Sequence, residues 1–185
     1  EFSRATVVIG DAATVDFSTL TNGEPYVFVG NLPYNAASAI VMNALTSTTP
    51  PRRMVVMVQK EVGDRMLGKK GSMSILSVAC GLYADVEELF IVKPDAFDPK
   101  PKVNSLVIAL TPSTFHVDVS RRLSREAVIE LAKAGFAHRR KQLHSNLAEA
   151  GVCTSAEAKK LFDDAQKMLK QIIDNVPIWI HAKDR

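Results

Sequence analysis

The chain has 185 residues, of which 46% are hydrophobic and 23% are charged, and its formal net charge is +3. This length and hydrophobic content suffice for one folded domain, or one and a half, with a substantial core. No apolar run approaches the roughly 18–20 residues that a membrane-spanning helix needs, and no signal-peptide pattern opens the chain. The composition therefore predicts a folded protein that has no membrane partner.

The chain contains two cysteines, Cys80 and Cys153, each in an apolar stretch of helical character. Buried free thiols are favoured over a disulfide, which is typical of a reducing, cytoplasmic compartment. The histidines and cysteines lack the spacing of metal ligands, so we predict no metal site.

Strand-like and helix-like segments alternate along the first part of the chain. The predicted strands cover residues 6–10, 26–30, 54–59, 86–92 and 105–111. The predicted helices cover residues 36–45, behind a possible Asn35 cap, 60–67 and 73–82. The alternation indicates an α/β fold built on a βαβ sheet, and the last two strands lack a long helix between them.

The pattern changes near Pro112-Ser113-Thr114. Beyond residue 122 the apolar residues recur at helical spacing, as in Val128, Leu131 and Ala132. We therefore predict two domains, an α/β domain at residues 1–113 and a small all-helical C-terminal domain at residues 114–185.

The segment Asn31-Leu32-Pro33-Tyr34 directly follows the second predicted strand. The Asn31 side-chain oxygen and the Leu32 carbonyl can accept hydrogen bonds from the exocyclic amine of a flat base, which draws the nitrogen lone pair out of conjugation. Pro33 stiffens the turn, and the ring of Tyr34 can stack on the base, a contact worth roughly 1–3 kcal/mol. An ordinary Asn-Pro turn at the end of a strand would explain the same residues.

Four blocks of the chain, in this order and spacing, resemble motifs of the ribosomal RNA adenine dimethyltransferases of the KsgA type. They are Asn31-Leu32-Pro33-Tyr34, Gln59-Lys60-Glu61-Val62, Phe97-Asp98-Pro99-Lys100-Pro101-Lys102-Val103-Asn104-Ser105 and Arg139-Arg140-Lys141. The resemblance implies a class I methyltransferase sheet of Rossmann-like fold with strand order 3-2-1-4-5-7-6. It also implies S-adenosyl-L-methionine as cofactor and dimethylation of adenine N6 in the RNA of the small ribosomal subunit.

The resemblance also implies roles for single residues. Asn31 and Leu32 hold the amine, Pro33 shapes the turn, and Tyr34 and Phe97 enclose a flipped-out base. In Gly10-Asp11-Ala12, Asp11 matches the family residue that accepts a hydrogen bond from the adenine of the cofactor. Ala12 and Asn31 are the other expected cofactor contacts. A plain Gly-Asp turn remains the alternative for Asp11, and a hydrophobic anchor of the loop remains the alternative for Phe97. Lys60 and Glu61 receive no catalytic role.

The basic residues are concentrated between residues 121 and 145. This stretch holds seven basic and two acidic side chains, a net charge of +5. Such a surface favours RNA through contacts with phosphates, although a solvated helix face is the alternative. We predict that RNA contacts Arg121, Arg122, Arg139, Arg140 and Lys141.

The chain also departs from the family pattern. Its nine glycines form no G-x-G-x-G loop, and the resemblance begins at the third strand of the family. We therefore expect a fragment that binds the cofactor weakly and exposes an edge of the 26–30 strand, through which it could self-associate. A non-catalytic RNA-binding or ribosome-assembly module is the rival function, and a DNA adenine methyltransferase would share the Asn-x-Pro-Tyr chemistry.

Overall fold

The computed structural model describes residues 5–113, 125–138, 141–157, 159–161 and 163. The chain divides into two compact units, one ending at Ile129 and the other beginning at Glu130. The domain boundary near residue 113 remains a prediction.

The described part of the first unit contains a mixed sheet of four strands. They are β1 (Val27–Asn31), β2 (Arg53–Gln59), β3 (Ala84–Val92) and β4 (Ser105–Pro112), in the order β1-β2-β4-β3. β1 and β2 are parallel, whereas β4 runs antiparallel to both β2 and β3. The α/β class is confirmed, as are four of the predicted strands and the antiparallel pairing of the last two.

The helices of this unit are α1 (Phe17–Leu20), α2 (Ala37–Thr46), α3 (Lys60–Met66) and α4 (Ile75–Tyr83), and Pro94–Ala96 form a 3-10 turn. Alternate residues of the two central strands have no exposed surface and join Val41, Met66 and Cys80 of the helices in one hydrophobic core. These strand residues are Met54, Val56, Val58, Leu106, Ile108 and Leu110. In β2 the intervening residues are less buried, whereas β4 is buried on both faces from Ser105 to Leu110.

Two local predictions are wrong. Residues 6–10 form no strand, and Val7, Val8 and Ile9 are exposed. Their β-branched side chains favour an extended chain, but a strand also needs a partner, and the sheet places none beside them. The cap of α2 is not Asn35, because the N-cap position is Ala36 and no side chain caps the helix.

Sequence reasoning missed α1. The Asp16 carboxylate caps it by accepting the Ser18 N–H at 2.9 Å, and hydrogen bonds from Ser18 and Thr19 lower the pKa of Asp16. Phe17 packs edge-on against Phe28 of β1, with ring centroids 5.4 Å apart. The short helix thereby ties residues before β1 to the core.

The second unit contains the end of α5 (Arg125–Phe136) and α6 (Leu143–Glu149). Asn146 is buried, and its Nδ2 donates to the carbonyls of Gly135 and His138 at 2.7 and 3.1 Å. One side chain therefore fixes the turn between the two helices. No helix in the described ranges is long and apolar enough to cross a membrane.

Candidate active site

Three of the four sequence blocks meet at one end of the sheet, where β1 and β2 end and β4 begins. Asn31 is the last residue of β1, Gln59 is the last residue of β2, and Ser105 is the first residue of β4 and pairs with Gln59. The Leu32 N–H donates to the carbonyl of Met57 in β2 (3.1 Å), and the Lys60 N–H donates to the Asn104 carbonyl of the third block (3.0 Å). Open α/β sheets bind their ligands at this end, beyond the carboxyl ends of the parallel strands.

A pocket of about 320 Å³ lies at this end of the sheet. Its size falls at the lower end of the roughly 300–1,000 Å³ that is usual for small-molecule sites. The pocket is lined by Asn31, Leu32, Pro33, Tyr34, Phe97, Pro99 and Pro101. The fold thus brings together all five residues that the sequence proposed as catalytic, across a separation of more than 60 positions.

The turn after β1 is anchored from beneath. The Leu32 side chain is buried, whereas Asn31 is exposed. A Cβ on Gly30 would lie 2.8 Å from Leu32 Cδ2, so the glycine leaves room for this side chain under the strand. The Pro33 carbonyl accepts the Ala36 N–H at 3.1 Å, which closes the turn into α2.

Tyr34 is held by a residue that sequence reasoning gave no role. Its hydroxyl lies 3.1 Å from Ser105 Oγ, and Ser105 has no exposed surface. The contact joins residues 71 positions apart. The position of Ser105 at the end of the Phe97–Ser105 block was the available clue.

The opposite wall of the pocket is the loop between β3 and β4. The half-buried Phe97 follows the 3-10 turn, and its N–H donates to the Pro94 carbonyl at 3.2 Å. The Asp98-Pro99 peptide bond is cis, and Asp95 forms an ion pair with Lys100. The loop places the Phe97 ring at the pocket.

Asp11 and Ala12 form a local turn and do not line this pocket. The Asp11 carboxylate is exposed, and its Oδ1 accepts the Ala13 N–H at 2.9 Å. Asn43 of α2 donates to the carbonyls of Ala12 (3.2 Å) and Val15 (2.8 Å). The Gly-Asp turn is therefore present, and the cofactor contact of Asp11 remains a prediction.

Most of the proposed RNA contacts lie outside the described residues, namely Arg121, Arg122, Arg139 and Arg140. Lys141 is described, and its Nζ lies 2.6 Å from Glu149 Oε2. This hydrogen bond, assisted by the positive charge of Lys141, lowers the pKa of Glu149. Part of the charge on Lys141 is therefore already matched within the protein.

The described residues contain no group of three His, Cys, Asp or Glu side chains that could hold a metal ion. Cys80 lies in the core, where burial raises the pKa of its thiol to about 12. The thiol is therefore protonated near neutral pH and contributes to packing.

The parallel pair β1–β2, the reversed strand β4 and the pocket beyond β1 define a Rossmann-like methyltransferase fold. The family model described as ribosomal RNA adenine dimethylase matches residues 2–176. The chain belongs to the ribosomal RNA adenine dimethylase family, which confirms the resemblance read from the four blocks.

Two curated relatives are both called ribosomal RNA small subunit methyltransferase A. The one from Xanthomonas oryzae pv. oryzae (strain PXO99A) is 39% identical over 175 residues, which are 91% of this chain and 64% of the relative. The one from Xanthomonas euvesicatoria pv. vesicatoria is 40% identical over 165 residues, 86% of this chain and 59% of the relative. The chain thus spans less than two thirds of the relatives' length.

Two solved structures share the fold. A dimethyladenosine transferase from Plasmodium falciparum aligns with a TM-score of 0.61 at 23% identity, over 91% of this chain and 57% of that one. The 23S rRNA methyltransferase ErmE aligns with a TM-score of 0.60 at 25% identity, over 77% of this chain and 55% of that one.

Proposed function

We propose that the protein carrying this chain transfers methyl groups from S-adenosyl-L-methionine to adenine N6 in the RNA of the small ribosomal subunit, up to the dimethylated base. The observation that carries the proposal is the pocket between the Asn31–Tyr34 turn and the Phe97 loop. Membership of the ribosomal RNA adenine dimethylase family and the names of the relatives supply the substrate class.

In this proposal, the exposed Asn31 side chain and the Leu32 backbone hold the amine. Asn31 Oδ1 and the Leu32 carbonyl are acceptors, and an exocyclic amine has two hydrogens to donate. Binding both hydrogens removes the nitrogen lone pair from the ring and directs it toward the methyl donor. The buried Leu32 side chain keeps its carbonyl in place, so the acceptors are preorganised before the base arrives.

Tyr34 and Phe97 are proposed to enclose the base between two rings. An adenine inside a folded RNA must leave its stack to reach such a pocket, and aromatic contacts offset part of that cost. Catalysis then rests on position and on exclusion of water, which needs no general base with a strongly shifted pKa.

The proposed cofactor contacts are Asp11, Ala12 and Asn31. The exposed Asp11 carboxylate, steadied by the Ala13 N–H, is an acceptor of the kind that the adenine amine of S-adenosyl-L-methionine requires. The cofactor supplies the activated methyl group when bound. We further propose that the protein acts in the cytoplasm, on the small subunit itself.

The test is methyl transfer from labelled S-adenosyl-L-methionine to unmodified small ribosomal subunits, followed by analysis of the nucleosides. N6,N6-dimethyladenosine in the small-subunit RNA is the expected product, with no label in large-subunit RNA or duplex DNA. Label in DNA alone would indicate a DNA adenine methyltransferase. RNA binding without transfer would support the rival function, a non-catalytic ribosome-assembly module.

A further inference from the structure

Ser105 is a buried polar residue at the meeting point of both walls of the pocket. It begins β4, where its backbone is paired with Gln59 of β2 and Val92 of β3. It also ends the loop that carries Phe97. Its Oγ lies 3.1 Å from the Tyr34 hydroxyl, and Tyr34 is its side-chain partner among the described residues.

A hydrogen bond at this position restricts how Tyr34 moves. Tyr34 lies in a turn and is 36% exposed, so packing alone leaves its ring partly free. Ser105 has no exposed surface and two strand neighbours, so its hydroxyl is a fixed point. A tether between the phenol oxygen and this point fixes the direction in which the Tyr34 side chain points, and ordering a contact before binding lowers the entropy that binding costs.

From this geometry we infer that Ser105 is a positioning residue, which holds the Tyr34 side chain in the direction that the incoming adenine requires and fixes it to the strand that ends the Phe97 loop. The inference rests on the proposed function of the pocket. It assigns the Tyr34 hydroxyl to the tether, so the hydroxyl takes no part in proton transfer. Ser105→Ala and Tyr34→Phe then remove the same hydrogen bond from opposite ends.

The test combines a double-mutant cycle with a stacking probe. The first readout is kcat and KM for small-subunit methylation by wild type, S105A, Y34F and the double variant. The second is the fluorescence of 2-aminopurine placed at the target adenine of a bound RNA fragment, which is quenched when the base stacks. Ser77→Ala is the matched control, because Ser77 is also buried and hydrogen-bonded, to the Arg65 carbonyl at 2.6 Å, but lies in α4 away from the pocket.

We expect S105A and Y34F each to lower kcat/KM by on the order of threefold to tenfold, the range for losing one hydrogen bond. Both should weaken the quenching equally, and the double variant should match the single variants. S77A should leave the quenching and KM unchanged, whatever its effect on the melting temperature.

Three results would overturn the inference. In the first, S105A retains wild-type quenching and kcat/KM while wild type methylates the RNA, so the positioning role fails and the proposed function survives. In the second, the losses in S105A and Y34F multiply in the double variant, so the two residues act separately. In the third, wild type transfers no methyl group to ribosomal RNA, and the proposed function fails together with the inference.

Discussion

Asn31 and Leu32 are adjacent in the chain but differ in what they expose. The Leu32 side chain is 6% exposed and sits in the core, so this residue can offer only its backbone to a ligand. Asn31 closes β1 with its side chain exposed. One residue therefore anchors the turn while its neighbour exposes a polar side chain, which is the arrangement that the proposed binding of one amine by two acceptors requires.

The surroundings of Asp64 determine the pKa of its carboxyl group. Its partial burial alone would raise the pKa, but hydrogen bonds from Lys60 and Lys69 and their positive charges outweigh burial and lower it. Lys60 Nζ lies 2.6 Å from Oδ2, Lys69 Nζ lies 2.9 Å from Oδ1, and Lys69 also contacts Glu88 of β3. The cluster links α3 to the edge strand β3.

We predict that Asp64→Asn makes the folded protein less stable and less sensitive to acid. Because the pKa of Asp64 is lower in the folded state than the unfolded value of about 3.9, ionised Asp64 stabilises the fold fully above about pH 4 and loses this effect as the pH falls further. Melting temperatures of wild type and D64N should therefore differ at pH 7 and converge below pH 4. Glu61→Gln, which disrupts the more exposed Glu61–Arg65 pair, is the control and should change little. A constant difference between wild type and D64N across this range would contradict the assignment.

At the scale of helices and strands, the sequence predicted the elements that are marked by a run of apolar residues within a short segment. The apolar runs of β2 and β4 were visible in the sequence, and both strands formed within one residue of the expected bounds. The strand at residues 6–10 failed because pairing depends on a distant partner that composition does not reveal. Asp16 had the residue type of a helix cap, but a helix of four residues is too short for its period to be recognised.

The edge of β1 gives a second prediction. Among the described strands only β2 pairs with β1, and Val27 and Val29 are exposed beside the free edge. Unpaired backbone groups next to apolar side chains favour association between chains. Sedimentation of this chain should show concentration-dependent association that Val29→Lys reduces, because an edge lysine opposes pairing. The control is Val152→Lys, which places the same charge on an exposed residue of the second unit. A monomer at every concentration would rule out association through this edge.

For the whole molecule, the family resemblance predicted that two distant blocks would meet, because it placed Tyr34 and Phe97 on either side of one base. The pocket lined by both residues agrees with this expectation. The sequence could not predict that Ser105 holds Tyr34 or that Asn146 fixes the turn between α5 and α6, because both contacts depend on side-chain positions set by packing. The described helices α5 and α6 confirm the helical spacing expected after residue 122.

The charge of the 121–145 stretch leads to a third prediction. Replacing Arg139, Arg140 and Lys141 together by Ala should weaken binding to different RNAs about equally. It should also reduce the salt dependence by up to about three phosphate contacts, with the smallest share from Lys141 because it already pairs with Glu149. Filter binding across a salt series measures both effects. A variant with the exposed Lys70, Lys159 and Lys160 changed to Ala removes the same charge outside this stretch, and an equal loss in the two variants would show that only net charge matters.

Methyl transfer by the full-length protein that carries this chain, with Asn31 changed to Ala, tests the proposed role of the pocket most directly. The substitution removes one of the two acceptors for the amine from an exposed position at the end of β1, so the fold should persist. We predict a loss of about 2–4 kcal/mol in transition-state stabilisation, on the order of 30- to 1,000-fold in the rate of small-subunit methylation. Asn35→Ala, an exposed asparagine of the same turn that does not line the pocket, should retain the wild-type rate. An N31A rate within threefold of wild type would show that Asn31 does not hold the amine.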